Sequence, residues 1–155
     1  MALTPEQQAQ SIFIRMAKIL AINMRNELSM LGAECVNMVR DRGEFESWKD
    51  RTGNLRSSVG FAFFQEGEMI VESAFEQIGA DPTGSQTGKS FVEELAKELT
   101  SAYALVVVAG MDYAEYVSQK RDVLQSAELH ARARINDVVQ KAVDNTIVKI
   151  NREFQ

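Results

Sequence analysis

Apolar residues recur at spacings of three and four along the first quarter of the chain, through Ile12, Phe13, Met16, Ile19, Leu20, Met24, Leu28, Leu31, Cys35, Met38 and Val39. That is the stripe of a one-sided helix. Thr4-Pro5-Glu6-Gln7 supplies its start, with Thr4 as N-cap, Pro5 at the first helical position and Gln7 closing a capping box. The pattern runs almost to Arg42-Gly43. Roughly 35 residues at 1.5 Å each reach about 50 Å, more than the width of a small domain, so this helix either bends or breaks near Gly32 or projects outward. Glu44-Phe45-Glu46-Ser47-Trp48 reads equally as a loop or a short helical turn.

Beyond Gly53-Asn54, a turn signal, the period changes to two. Leu55, Ser57, Val59, Phe61 and Phe63 fall on one face and Arg56, Ser58, Gly60 and Ala62 on the other, which predicts a half-buried strand from Leu55 to Phe64. Gln65-Glu66-Gly67-Glu68 suits a hairpin loop, with a second strand from Met69 to Phe75. The Gly-, Ser- and Thr-dense segment from Gly79 to Ser90 reads as a mobile surface loop. Ser90 then caps a short helix, Phe91 to Leu99, that turns Leu95 and Leu99 inward. Tyr103 to Ala109 is apolar throughout and β-branched at its centre, as expected of a strand covered on both faces and central in its sheet. Asp112 caps a helical turn through Tyr113, Tyr116 and Val117. After the charged break Lys120-Arg121-Asp122, a last amphipathic helix runs from Val123 to Phe154.

These elements predict an α+β fold: a small, mainly antiparallel sheet of about three or four strands packed against long N-terminal and C-terminal helices. A single domain, 1–155, holds an N-terminal helix region (1–43), the sheet with a loop and short helix inserted at about 79–100 (51–110), and C-terminal helices (111–155). No internal repeat, low-complexity tract or convincing run of heptads changes this.

Composition agrees with one domain holding a real core, since 155 residues are 45% hydrophobic and 25% charged. The net charge of -5 and pI near 5.0 disfavour a nonspecific grip on nucleic-acid phosphates. A single cysteine, Cys35, excludes an internal disulfide. The start Met-Ala-Leu-Thr-Pro-Glu lacks the basic and apolar regions of a signal peptide, and no apolar run approaches the ~20 residues of a membrane span. The expectation is a soluble protein made in the cytoplasm, with no membrane partner.

Residue patterns that carry chemistry are few in this chain. Gly84 and Gly88 enclose three residues before Lys89-Ser90, where a phosphate-binding loop needs four, and no buried strand leads into them. His130, the sole histidine, has no second histidine or cysteine at ligand spacing, so it reads as a surface or packing residue. Cys35 falls on the apolar stripe and reads as a core thiol. The pairs Glu44/Glu46, Glu66/Glu68 and Glu93/Glu94 read as solvated charges. Arg51 and Arg56 flank the turn near Asp50, placed for local pairing, for a partner's carboxylate, or for phosphate, the first two being favoured in an acidic chain. No enzyme, cofactor or metal signal emerges.

Two ordered elements carry a resemblance: Arg51-Thr52-Gly53-Asn54-Leu55-Arg56-Ser57-Ser58-Val59, then two strands, then Asp112-Tyr113-Ala114-Glu115-Tyr116-Val117 after a valine-rich strand. Over about Trp48 to Val117 the chain resembles the tail-component, or tail-completion, family of long-tailed double-stranded DNA phages and prophages. In that family an Arg-Thr-Gly-Asn-Leu-Arg element opens the sheet and a Tyr-Ala-x-Tyr-Val element follows its last strand. The family often continues with Glu-x-Gly-Thr and Pro-Phe-Leu-Arg-Pro-Ala, where this chain reads Ser118-Gln119-Lys120-Arg121 and onward. The loop from Gly79 with its short helix resembles an insertion.

The resemblance implies a non-enzymatic virion protein, made in the bacterial host and placed in the neck or tail. It would act in tail completion or head-tail joining by self-association, often as a ring, and by contact with other neck and tail proteins. It implies no cofactor and no specific nucleic-acid binding. Its motif residues are Arg51, Thr52, Gly53, Asn54, Leu55 and Arg56 in the turn, with Tyr113 and Tyr116 packing that turn and the last strand. Their role is either fold maintenance or partner contact. Two rival classes stand beside it: a small phage-encoded adaptor or inhibitor that binds a host protein, and a phage nuclease or hydrolase.

Overall fold

The computed structural model describes residues 1–42 and 51–155. The Glu44–Trp48 link, the acidic pair within it, and Trp48 and Asp50 of the motif region lie outside them. The described residues form five helices and one three-stranded antiparallel sheet. The fold is therefore α+β, with long helices at both ends.

Helix α1 runs unbroken over Pro5–Arg40, 36 residues or about 54 Å. Its capping box forms as the sequence dictates: the Gln7 N–H donates to Thr4 Oγ1 at 3.2 Å and the Thr4 N–H donates to Gln7 Oε1 at 3.0 Å. It does not break at Gly32. A Cβ there would lie 2.7 Å from the Phe61 ring and 2.9 Å from Leu105, so the missing side chain is what lets the helix settle on the sheet. Burial is confined to the helix's later two thirds: Ile19 is its first buried residue, and Met24, Leu28, Leu31, Cys35, Val36 and Val39 join the main core.

The next described element is not the expected strand start. Asn54–Ser57 form a single helical turn, α2, and the strand β1 begins at Val59 and ends at Gln65. Alternation over so few residues does not distinguish a strand from one helical turn. Helix α2 puts Leu55 in the same core as Val59, Phe61 and Phe63. A hairpin joins β1 to β2, Glu68–Glu72. Glu66 and Gly67, both at positive φ (51° and 80°), form its two-residue turn, the backbone pattern whose twist suits tight hairpins. The second strand is shorter than expected, and the register shifts between Phe63 and Phe64, leaving Ile70 as the extra residue of a bulge.

Helix α3 spans Thr83–Ala96. Of the segment from Gly79 to Ser90 read as a mobile loop, residues 79–82 are non-helical and the rest forms the first two turns of α3, so Ser90 lies inside the helix rather than capping it. Strand β3, Tyr103–Ala109, has the expected bounds but the opposite place: the order β2-β1-β3 makes it an edge, and β1 is central. Helices α4, Ala114–Ser118, and α5, Gln125–Glu153, complete the chain.

The sheet lies between two helical layers. Val59, Phe61 and Phe63 of β1, with Tyr103, Leu105 and Val107 of β3, face α1 and α5, while Ala62, Phe64, Val106 and Val108 face Val92 and Leu95 of α3. β1 is thus buried on both faces, not half-buried, because α3 covers the second one. The α1 and α5 helices pair antiparallel along their length. Arg15 meets Glu153 at 2.8 Å, Asn23 donates to Thr146 Oγ1 at 3.0 Å, and Lys141 meets Glu27 at 3.1 Å. The pair extends past the sheet: none of residues 5–18 is buried, and Phe13 is 69% and Ile14 51% exposed. Of the alternatives posed by its length, the helix projects outward. No helix among the described residues is long and apolar enough to cross a membrane.

Candidate functional site

The Arg51–Arg56 turn sits where the end of α1, the start of β1, the 78–84 segment and the start of α3 converge. Gly53 adopts φ +76°, and a Cβ on it would stand 2.0 Å from the Ile78 carbonyl oxygen, so both its conformation and its neighbour require glycine. Asn54 is buried and uses both ends of its amide. Its Nδ2 donates to Asp81 Oδ2 at 2.9 Å, and its Oδ1 accepts the Gly84 N–H at 3.2 Å. Asp81 in turn accepts the N–H and hydroxyl of Thr83 on Oδ1, at 2.9 and 2.6 Å. These bonds, from Thr83 first and Asn54 second, hold the Asp81 carboxyl at about 2. The Asn54–Asp81 pair therefore occupies N–H groups that the first turn of α3 leaves without helical partners.

Two arginines fasten α1 to the same place. Arg56 Nη1 donates to the carbonyls of Arg40 at 2.7 Å and Val39 at 3.3 Å, closing the C-terminal end of α1 with a cation. Arg40 Nη2 donates to the Val59 carbonyl at 2.6 Å and to Ala74 at 3.2 Å. The Ser57 hydroxyl, fully buried, donates to the Gly53 carbonyl at 2.7 Å and accepts the Ile78 N–H at 2.7 Å. Leu55 is in the core. Arg51 and Thr52 are exposed, and the Thr52 hydroxyl accepts the Asn54 N–H at 3.3 Å. The turn's inner residues are therefore joined to the fold, and its outer two face solvent.

The structure does not bury the tyrosines. Tyr113 is 41% and Tyr116 60% exposed, and Ala114 between them is the residue of that element that enters the core. Residues three apart share a helix face, so Tyr113 and Tyr116 lie together on the outer side, while Ala114 and Val117 lie on the side that packs against the core. Tyr116 instead meets Lys120, whose Nζ donates to its hydroxyl at 3.1 Å and stands 5.0 Å from the ring centroid. Asp112 does not supply a side-chain cap to α4, which begins after Tyr113.

Sequence reasoning missed Arg40, Arg42, Asp81 and Asp122. Arg42, nearly buried, meets Asp122 at 2.8 Å, and Asp122 also receives the Ser126 N–H at 3.1 Å in the first turn of α5. For Asp81 a signal was present: Asp-Pro-Thr is a side-chain turn of the kind that opens helices. The arginines carried none, because their acceptors are carbonyls distant in sequence.

The remaining candidates for chemistry are set by their surroundings. His130 Nε2 lies 2.9 Å from Glu34, which Arg134 also meets at 3.2 Å, on the α1–α5 seam. Burial, then the Glu34 carboxylate, pushes the Cys35 thiol up, and its Sγ rests 3.6 Å from the Ala127 carbonyl, so it stays a protonated core thiol. No group of three or more metal-ligating side chains comes together among the described residues. Two adjoining hollows of about 340 and 310 Å³ share Leu124 and Glu128 and run beside β3, past Leu105, Val107 and Ala109. Apart from Glu115 and Glu128 their walls are chiefly apolar or uncharged, a lining suited to side chains of a partner more than to catalysis.

No family model, curated protein or solved structure matches the chain.

Proposed function

We propose that the chain is a non-enzymatic structural protein of a phage or prophage particle, acting in tail completion or head-tail joining by self-association and by contact with neighbouring neck and tail proteins. The observation that carries this reading is the Arg51–Arg56 element, which resembles the family's and stands where a helix longer than the domain is fastened to the sheet. From that joint the α1–α5 pair reaches past the sheet and presents Phe13, Ile14, Ile147 and Val148 to solvent. A projecting helical pair with an apolar tip is a shape for assembly. The net charge of -5 supports a place beside DNA without adhesion to it.

The test is deletion of the coding sequence from an inducible phage genome that carries it, followed by negative-stain electron microscopy of the lysate. Filled heads apart from tails, or tails of abnormal length, are the expected result. Normal infectious particles would overturn the proposal and favour an adaptor or inhibitor that acts on a host protein.

A further inference from the structure

The outer edge of β3 is the least protected backbone in the sheet. The Gly110 N–H donates to Ser58 and the Glu66 N–H to Ala102, which sets the phase of the β1–β3 ladder. Residues 104, 106 and 108 therefore bond to β1, and the N–H and C=O groups of Tyr103, Leu105, Val107 and Ala109 point away from it. Among the described residues nothing pairs with these outward groups. Sheets ordinarily guard such an edge with a charge, a proline, a bulge or a covering element. Tyr-Ala-Leu-Val-Val-Val-Ala has no charge and no proline, and its register with β1 is unbroken over seven residues. The opposite edge does carry guards: a bulge at Ile70, and Glu68 and Glu72 at the ends of β2.

We propose that the β3 edge pairs antiparallel with β3 of a second copy, about a two-fold axis at Val106, to make one six-stranded sheet. The outward set 103, 105, 107 and 109 is symmetric about 106, so Tyr103 meets the other copy's Ala109 and Leu105 meets its Val107, and every outward group finds a partner. A second copy also opposes no like charges, because the strand has none. The axis stands perpendicular to the sheet, which keeps both α1–α5 layers on one side. The hollows beside Leu105 and Val107 leave room there for the second copy's side chains. A β2 edge from the second copy would bring its bulge and glutamates instead.

Purified protein tests this apart from any role in a phage. Sedimentation equilibrium is expected to show a concentration-dependent dimer. Val107→Pro removes an outward N–H and leaves the β1 ladder whole, so it should give a folded monomer by circular dichroism and sedimentation; Val106→Pro, which removes an inward N–H, should unfold the sheet. Cross-linking does not depend on proline being tolerated. At the axis the two Val106 Cα atoms would stand about 4.5 Å apart, within disulfide range, so Val106→Cys should link the copies on mild oxidation. Ala104→Cys, whose counterpart lies four residues out of register, should not, nor should native Cys35. A monomer at all concentrations, or a dimer in which Val106→Cys links no better than Ala104→Cys, overturns the proposal.

Discussion

Gly53 and Gly88 meet the same substitution with different physics. At Gly53 alanine must hold φ +76° with its Cβ against the Ile78 carbonyl, and strained positions of this kind cost about 1–3 kcal/mol before the clash is counted. Gly53→Ala should therefore lower the urea midpoint by at least that equivalent. Gly88 is helical, where alanine ordinarily gains about 1 kcal/mol. Its Cβ would lie 2.5 Å from the Ser58 carbonyl oxygen, a backbone atom that cannot rotate away, so Gly88→Ala should destabilise. A gain in midpoint would mean that α3 can lift from α2 freely. Asp81 adds a pH signature. Its carboxyl is held at about 2, below its ordinary 3.8, so the stability it contributes is fully present above about pH 4 and is lost as pH falls through about 2. Wild type should exceed Asp81→Asn in stability at pH 5, and the two urea curves should approach each other toward pH 2.

At the scale of elements, coverage decides which segments hold longest. Residues 24–39 of α1 are clamped between α5 and the sheet, whereas residues 5–18 have no buried member. Native-state hydrogen exchange should show amides of 5–18 opening locally and those of 24–39 exchanging only with global unfolding. Uniform protection along the helix would contradict this.

The two long helices were legible because period, and at α1 the capping residues as well, are local properties; Thr4, Gln7 and the stripe from Ile19 to Val39 needed no tertiary information. Helix α3 was not, since Thr83–Ser90 has poor helix propensity and its glycines serve contact with Asn54 and Ser58, partners that only the fold supplies. The apolar run of β3 correctly marked two covered faces, but an edge strand with helices above and below has the same composition as a central one. Of the site, the turn's position was readable from Gly53-Asn54, while the Arg40, Arg56 and Asp81 bonds were not, being contacts to distant backbone or to a segment read as loop.

For the whole molecule, stability and assembly are separable. Phe13 and Ile14 lie outside the core, so the double change Phe13→Gln with Ile14→Gln should alter folding stability by no more than about 0.5 kcal/mol per site. Under the proposed role the same variant should fail to restore joined particles to a deletion phage; full restoration would remove the helical tip from the assembly surface. The geometry of that tip has a mechanical side. Helix α1 is held at its C-terminal end by Arg56 and Arg40, clamped on the sheet over residues 24–39 and stiffened along its length by α5, so only residues 5–18 behave as a free arm. Over that arm of about 21 Å, a flexing of roughly 5° where the helix leaves the core sweeps the tip through about 2 Å. A neighbour gripping the tip could thus shift it by a fraction of a helical turn while the clamped part of the helix stays in place.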